Sequence, residues 1–123
     1  MKVKDLKYYL KKYPRDYYVS ILLGTPSWIY DIKKEDDVDT VYDLHCLPSY
    51  DYNYDLQNNI REYYDTVGKL YDKLLECDED NLLMMNEEGL GSSLSEVSDK
   101  VTNEEGELII NTVFIIPLIH LVG

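Results

Sequence analysis

The sequence predicts one α+β domain: a single sheet covered by a short N-terminal helix and one long amphipathic helix, in the order α-β-β-β-α-β. The sheet is read as a hairpin, a third strand and a central C-terminal strand. Three observations carry this. Two segments repeat apolar residues every three or four positions, as on one face of a helix. Runs rich in Val, Ile and Tyr lie between and after them. A chain of 123 residues with 45% apolar content fits a single domain, 1–123, with a core that needs no staples.

Val3, Leu6, Leu10 and Tyr13 form the first helical stripe, lysines fill the opposite face, and Pro14 closes it. Tyr17 to Leu23 reads as a strand, with Val19, Ile21 and Leu23 on one face and Tyr18, Ser20 and Leu22 on the other. Gly24-Thr25-Pro26-Ser27 is a turn, and the alternation of Trp28, Tyr30 and Ile32 completes a hairpin. Lys33 to Asp39 is a charged connection, and Thr40 to Leu47 is a third strand closed by Pro48.

Leu56, Ile60, Tyr63, Val67, Leu70, Leu74 and Cys77 are spaced 4-3-4-3-4-3, which predicts one helix from about Asp55 to Cys77. Such a stripe either packs on the chain's own sheet or forms a seam between chains, and a sheet in need of cover favours the first. Gly68 inside it makes the helix depend on packing. From 86 to 107 the composition turns to Glu, Gly, Ser, Asn and Asp, so this stretch is expected as a mobile loop, with Leu90, Leu94, Val97 and Val101 allowing a short weak helix. Leu108 to Ile116 is almost uniformly apolar, as a central strand would be. No internal repeat is visible.

The formal charge is −12, from 24 acids and 12 bases. Such a chain repels nucleic acid and anionic membrane. Residues 1–15 carry six bases against Asp5 alone, a net +5, and the remainder hold six bases and 23 acids, a net −17. A basic helix therefore accompanies an acidic body, which suits docking of one on the other or two distinct faces. Cys46 and Cys77 lie in apolar surroundings and suit reduced thiols in a cytosol. The basic start lacks the apolar run of a signal peptide. The segment Leu108–Val122 is too short to span a bilayer and is interrupted by Asn111, Thr112, Pro117 and His120.

Little points to catalysis. His45, Cys46, Cys77 and His120 lack metal-ligand spacing, and adjacent His45 and Cys46 would face opposite sides of a strand. Asp36, Asp37 and Asp39 lack the Gly and Glu that complete a calcium loop. No phosphate-binding glycine motif and no nucleophile elbow occurs. With 24 carboxylates, some pair must lie close by chance, so a two-carboxylate reading decides nothing. The expectation is a non-enzyme with no cofactor, no catalytic residue and no metal.

Tyrosine stands out: thirteen Tyr against one Phe. Base composition does not separate the two, so rings bearing a hydroxyl are being chosen, as half-wet surfaces require. Read as an extended segment, Ser49 to Asp55 sets Tyr50, Tyr52 and Tyr54 on one face and Asp51, Asn53 and Asp55 on the other. Tyrosine in this form suits a binding surface; the plainer role is an edge that lids the core. Acids gather at Glu35, Asp36, Asp37 and Asp39, at Asp51 and Asp55, and at Glu76, Asp78, Glu79 and Asp80. Alternate residues of a strand are about 6.6 Å apart, near the spacing of neighbouring phosphates, so rows of carboxylates can imitate nucleic acid. Most acidic runs are simply solvated. The expected partner-binding set is Asp36, Asp37, Asp39, Tyr50, Asp51, Tyr52, Tyr54, Asp55, Glu76, Asp78, Glu79 and Asp80.

The opening, from Met1-Lys2-Val3-Lys4-Asp5-Leu6 through Tyr13-Pro14-Arg15-Asp16-Tyr17-Tyr18-Val19, resembles small acidic proteins of phages and mobile elements in low-GC Gram-positive bacteria, which begin with a short helix and a Pro-x-Asp turn into a strand. The resemblance covers about a sixth of the chain and transfers no residue role. It implies a setting in which small cofactor-free proteins act as anti-defence inhibitors, anti-CRISPR proteins among them. The functional expectation is an inhibitor, phage-encoded and acting in the host cytoplasm as a monomer or small homo-oligomer. It would bind a basic protein, such as a CRISPR effector or another nucleic-acid-binding enzyme, and neither nucleic acid nor membrane directly. The alternatives are an immunity protein for a basic toxin, or an assembly component that oligomerises through the heptad stripe.

Overall fold

In the computed structural model, which describes residues 1–122, six strands close into one mixed barrel in chain order. β1 (Tyr18–Leu23) turns at Gly24 into β2 (Thr25–Lys34), with Leu23 opposite Thr25. So tight a turn needs the positive φ of 74° that Gly24 adopts freely. β2 runs antiparallel to β3 (Val41–Pro48), and a register shift between Ile29 and Asp31 lets Ile29 and Ile32 both enter the core. A second meander follows, of β4 (Leu82–Glu87), β5 (Leu90–Ser98) and β6 (Thr112–Pro117), with its own shift between Leu94 and Glu96. Parallel pairing of β3 with β4 and of β1 with β6 joins the meanders into a ring. Closure gives every strand two neighbours, although β1 and β2 pair only over Ile21–Leu23 and Thr25–Ser27.

Four short helices complete the chain: α1 (Val3–Leu10), α2 (Ser49–Asn58), α3 (Val67–Leu74) and α4 (Leu118–Val122). α1 and α3 are tied to the barrel end where β1, β4 and β6 begin. The Leu83 N–H donates to the Met1 carbonyl, and the Val67 N–H to the Tyr17 carbonyl. Val3, Leu6 and Leu10 of α1 and Val67, Leu70 and Leu74 of α3 form one core with the barrel's inward residues. No helix among the described residues is long and apolar enough to cross a membrane.

The architecture corrects three expectations. The single open sheet is a closed barrel, because two strands were hidden. β5 lies inside the stretch expected as a mobile loop from 86 to 107. Ser92 and Leu94 point inward while Gly91, Ser93, Ser95 and Glu96 face water, so the Gly, Ser and acid content belongs to a solvated outer face. β4 falls almost wholly between the expected helix, which ended at Cys77, and the expected loop from 86, in residues given no element.

The long helix from Asp55 to Cys77 does not exist either. α2 ends at Asn59, whose φ of 53° is left-handed, and α3 begins at Thr66, whose hydroxyl accepts the Lys69 N–H at 3.3 Å. Between them the chain bonds to the barrel: the Tyr64 N–H donates to the Ile29 carbonyl at 2.9 Å and the Val19 N–H to the Asp65 carbonyl at 3.0 Å. The stripe divides accordingly. Val67, Leu70 and Leu74 are buried in the chain's own core, whereas Leu56 and Ile60 are 46% and 53% exposed. A seam between chains along the whole stripe is therefore ruled out.

The third correction concerns Ser49 to Asp55, expected as extended with its tyrosines on one face. It is the first part of α2, entered from Pro48. Proline's fixed φ and missing N–H suit the entry to a helix.

Candidate functional site

Helical geometry redistributes the tyrosines. Residues two apart lie on opposite sides of a helix, and residues three or four apart share a side. Tyr50 is 81% exposed and Tyr54 shares its outward face, whereas Tyr52 and Asp55 are buried at 8% and 3% exposure. Asp51 is half-buried. The inward pair meets the chain between α2 and α3 in a reciprocal clasp. The Tyr52 hydroxyl donates to Asp65 Oδ2 at 2.8 Å, and the Tyr63 hydroxyl donates to Asp55 Oδ2 at 2.6 Å. Tyr52 also stacks on Trp28, at 4.4 Å between centroids, and meets the Tyr63 ring edge-on.

Cations close the clasp from outside. Arg61 reaches Asp55 Oδ2 at 2.9 Å, and Lys69 reaches Asp65 Oδ1 at 3.3 Å. The bond from Tyr63, with support from Arg61, holds the Asp55 carboxyl below its ordinary range. Burial, then the bonds to carboxylates, push the Tyr52 and Tyr63 hydroxyls well above theirs. The clasp is architecture. In the free protein it commits the Tyr52 hydroxyl to Asp65 and Asp55 Oδ2 to Tyr63 and Arg61, so these two residues of the expected partner-binding set are engaged within the chain.

The remaining acids fare differently. Glu35, Asp36, Asp37 and Asp39 are exposed on the β2–β3 connection, and Glu76, Asp78, Glu79 and Asp80 on the α3–β4 connection. Parallel pairing of β3 with β4 brings these two runs together. The Asn81 side-chain amide donates to the Asp39 carbonyl at 2.9 Å, the Leu82 N–H to the Thr40 carbonyl at 2.9 Å, and the Asp78 N–H to the Tyr42 hydroxyl at 3.1 Å. Residues far apart in sequence thus become one acidic end of the barrel. α1 docks beside it, with Lys4 on Asp80 at 3.1 Å and Lys7 on Glu79 at 2.6 Å. Lys73 lies 3.8 Å from Glu76. Exposed pairs of this kind contribute little stability. Among the described residues, Glu35, Asp36, Asp37, Asp39 and Asp78 take part in no ion pair.

The acids at this end lie on connections, not on extended strands, so the alternate-residue spacing that matched phosphates does not apply. Nor do the tyrosines join it. β3 starts at the acidic end and leads to α2, and its eight residues span roughly 23 Å. Tyr50, in the first turn of α2, therefore lies toward the opposite end of the barrel.

An open groove of about 930 Å³ lies between the clasp and α3 beside β2; Tyr30, Tyr63, Arg61, Glu62 and Glu76 are among the residues lining it. Sequence reasoning missed this groove and the clasp. Tyr63 fits the 4-3 helix stripe, and Arg61 and Asp65 carry no periodic signal. The four soft ligands are dispersed. Cys46 faces the core, where burial pushes its thiol up to about 12, and His45 lies near the Tyr30 ring. His120 Nδ1 accepts the Gly24 N–H at 3.2 Å, and Cys77 is free and half-buried. Comparison with protein families, curated proteins and solved structures finds no match for this chain.

Proposed function

We propose that this protein is a non-catalytic inhibitor whose acidic end binds a basic, nucleic-acid-handling protein. The observation that carries the reading is the junction of the Glu35–Asp39 run with Asp78, Glu79 and Asp80 through the Asn81–Asp39 and Leu82–Thr40 hydrogen bonds. A patch of one sign on a low-dielectric body focuses its field and steers an oppositely charged partner. The net charge of −12 acts in the same direction. The opening's resemblance to phage and mobile-element proteins supplies the setting, an anti-defence role in a bacterial cytoplasm. Two unpaired cysteines suit such a reducing compartment.

The test is comparative capture from a bacterial lysate, with the protein and its Asp36→Lys, Asp37→Lys, Asp39→Lys triple variant as baits. The native bait should retain a basic protein that nucleic acid displaces, and the triple variant should lose it. An acidic partner, or equal capture by both baits, contradicts the proposal.

A further inference from the structure

The groove beside the clasp holds a feature that the clasp does not require. Arg61 lies with its guanidinium carbon 5.1 Å from the Tyr30 ring centroid while bonding Asp55, so the chain supplies its own guanidinium to an aromatic and carboxylate corner. The occupancy is partial. Arg61 and Tyr63 both bond Asp55 Oδ2, and Oδ1 accepts from neither. The Arg61 side chain is 44% exposed, and the corner opens onto the groove. Six carboxylates against three cations line that groove, a net −3. Glu76 is both a lining residue and the first acid of the acidic end, so the two surfaces are continuous.

We infer that the corner formed by Tyr30, Asp55 and Tyr63 is a binding site for an arginine side chain of the protein partner, occupied in the free protein by Arg61. The inference rests on the proposed binding of a basic partner and names the residue type that anchors it. A planar guanidinium entering from the groove engages both Asp55 oxygens, where Arg61 engages one, and covers the Tyr30 ring. Arg61 swings into solvent, and Glu62 on the rim receives it or the incoming chain. The free protein is thus held in a self-competed state.

The test uses the whole protein, isotope-labelled for NMR, titrated with a short glycine–serine peptide carrying arginines and with its lysine and citrulline counterparts. The arginine peptide should shift Tyr30 and Tyr63 ring resonances, and Arg61→Ala should bind it about threefold to tenfold more tightly by removing the internal competitor. Equal shifts with the citrulline or lysine peptide overturn the site, as does an Arg61→Ala protein that keeps its native spectrum and binds no better. If Arg61→Ala fails to fold, the ring shifts of the native protein decide alone. Shifts confined to residues 36–39 and 78–80 overturn the arginine site and leave the acidic-end reading standing. No shift at either place overturns both.

Discussion

Tyr52 and Tyr63 account for part of the preference for tyrosine over phenylalanine. Each places a ring in a packed cluster and a hydroxyl on a carboxylate the fold has buried, a task phenylalanine cannot perform. Tyr52→Phe should therefore cost about 1.5–3 kcal/mol, the range for a hydrogen bond to a charged group. Tyr50→Phe, at an exposed position, should change stability by less than about 0.5 kcal/mol. Urea unfolding of both variants checks this, and equal losses would show that the clasp is not a stabilising contact. The pH dependence follows from the same bonds. The two hydroxyls titrate higher in the folded protein than their ordinary 10.0, so their contribution is fully present below pH 10 and is lost as pH rises above it. Asp55 titrates below its ordinary 3.8, so its contribution is present above that value and is lost as pH falls through the lowered range. The urea midpoint should fall on both sides, and a Tyr52→Phe, Tyr63→Phe double variant should flatten the alkaline arm. The sequence showed that hydroxyl-bearing rings were preferred but not where they point. Tyr-Asp-Tyr-Asn-Tyr-Asp alternates as an extended segment would, and only the inward contacts of Tyr52 and Asp55 show that it is helical.

The divided stripe shows what periodicity can and cannot tell. Val67, Leu70 and Leu74 are a true buried helix face, whereas Leu56 and Ile60 continue the same arithmetic across a break and face solvent. Val67→Asp should abolish cooperative folding by burying an unpaired charge, while Leu56→Asp and Ile60→Asp should keep the native circular dichroism spectrum. One continuous helix packed along its length would make all three alike. The break carries local signals, a left-handed Asn59 and the Thr66 cap, but the regular 4-3 spacing runs straight across both. Some local elements were legible: the third strand, expected over 40–47, is Val41–Pro48, although the first helix ends at Leu10, short of Tyr13, and Thr25-Pro26-Ser27, expected in a turn, opens β2. β5 was not, because a barrel strand with a solvated outer face shows only alternate apolar residues, and Ser92 takes one of those inward places.

At the scale of the molecule, ring closure decides the electrostatics. The Glu35–Asp39 and Glu76–Asp80 runs are some forty residues apart in sequence and meet only because β3 and β4 pair in parallel. Sequence reading found both clusters but grouped them with the α2 tyrosines, whose helix starts at the other end of the barrel. Replacing Asp36, Asp37 and Asp39 with Lys should leave stability unchanged or slightly raised, since exposed like charges repel. Attraction between exposed charges is screened over about 8 Å at physiological ionic strength, so its removal should appear in the rate of encounter. The most direct measurement is the association rate of the captured partner with the native protein and the triple lysine variant across a range of salt concentrations. The native rate should fall steeply with salt, the variant should associate slowly with little salt dependence, and the two dissociation rates should stay close. A native rate indifferent to both salt and charge reversal would contradict binding through the acidic end.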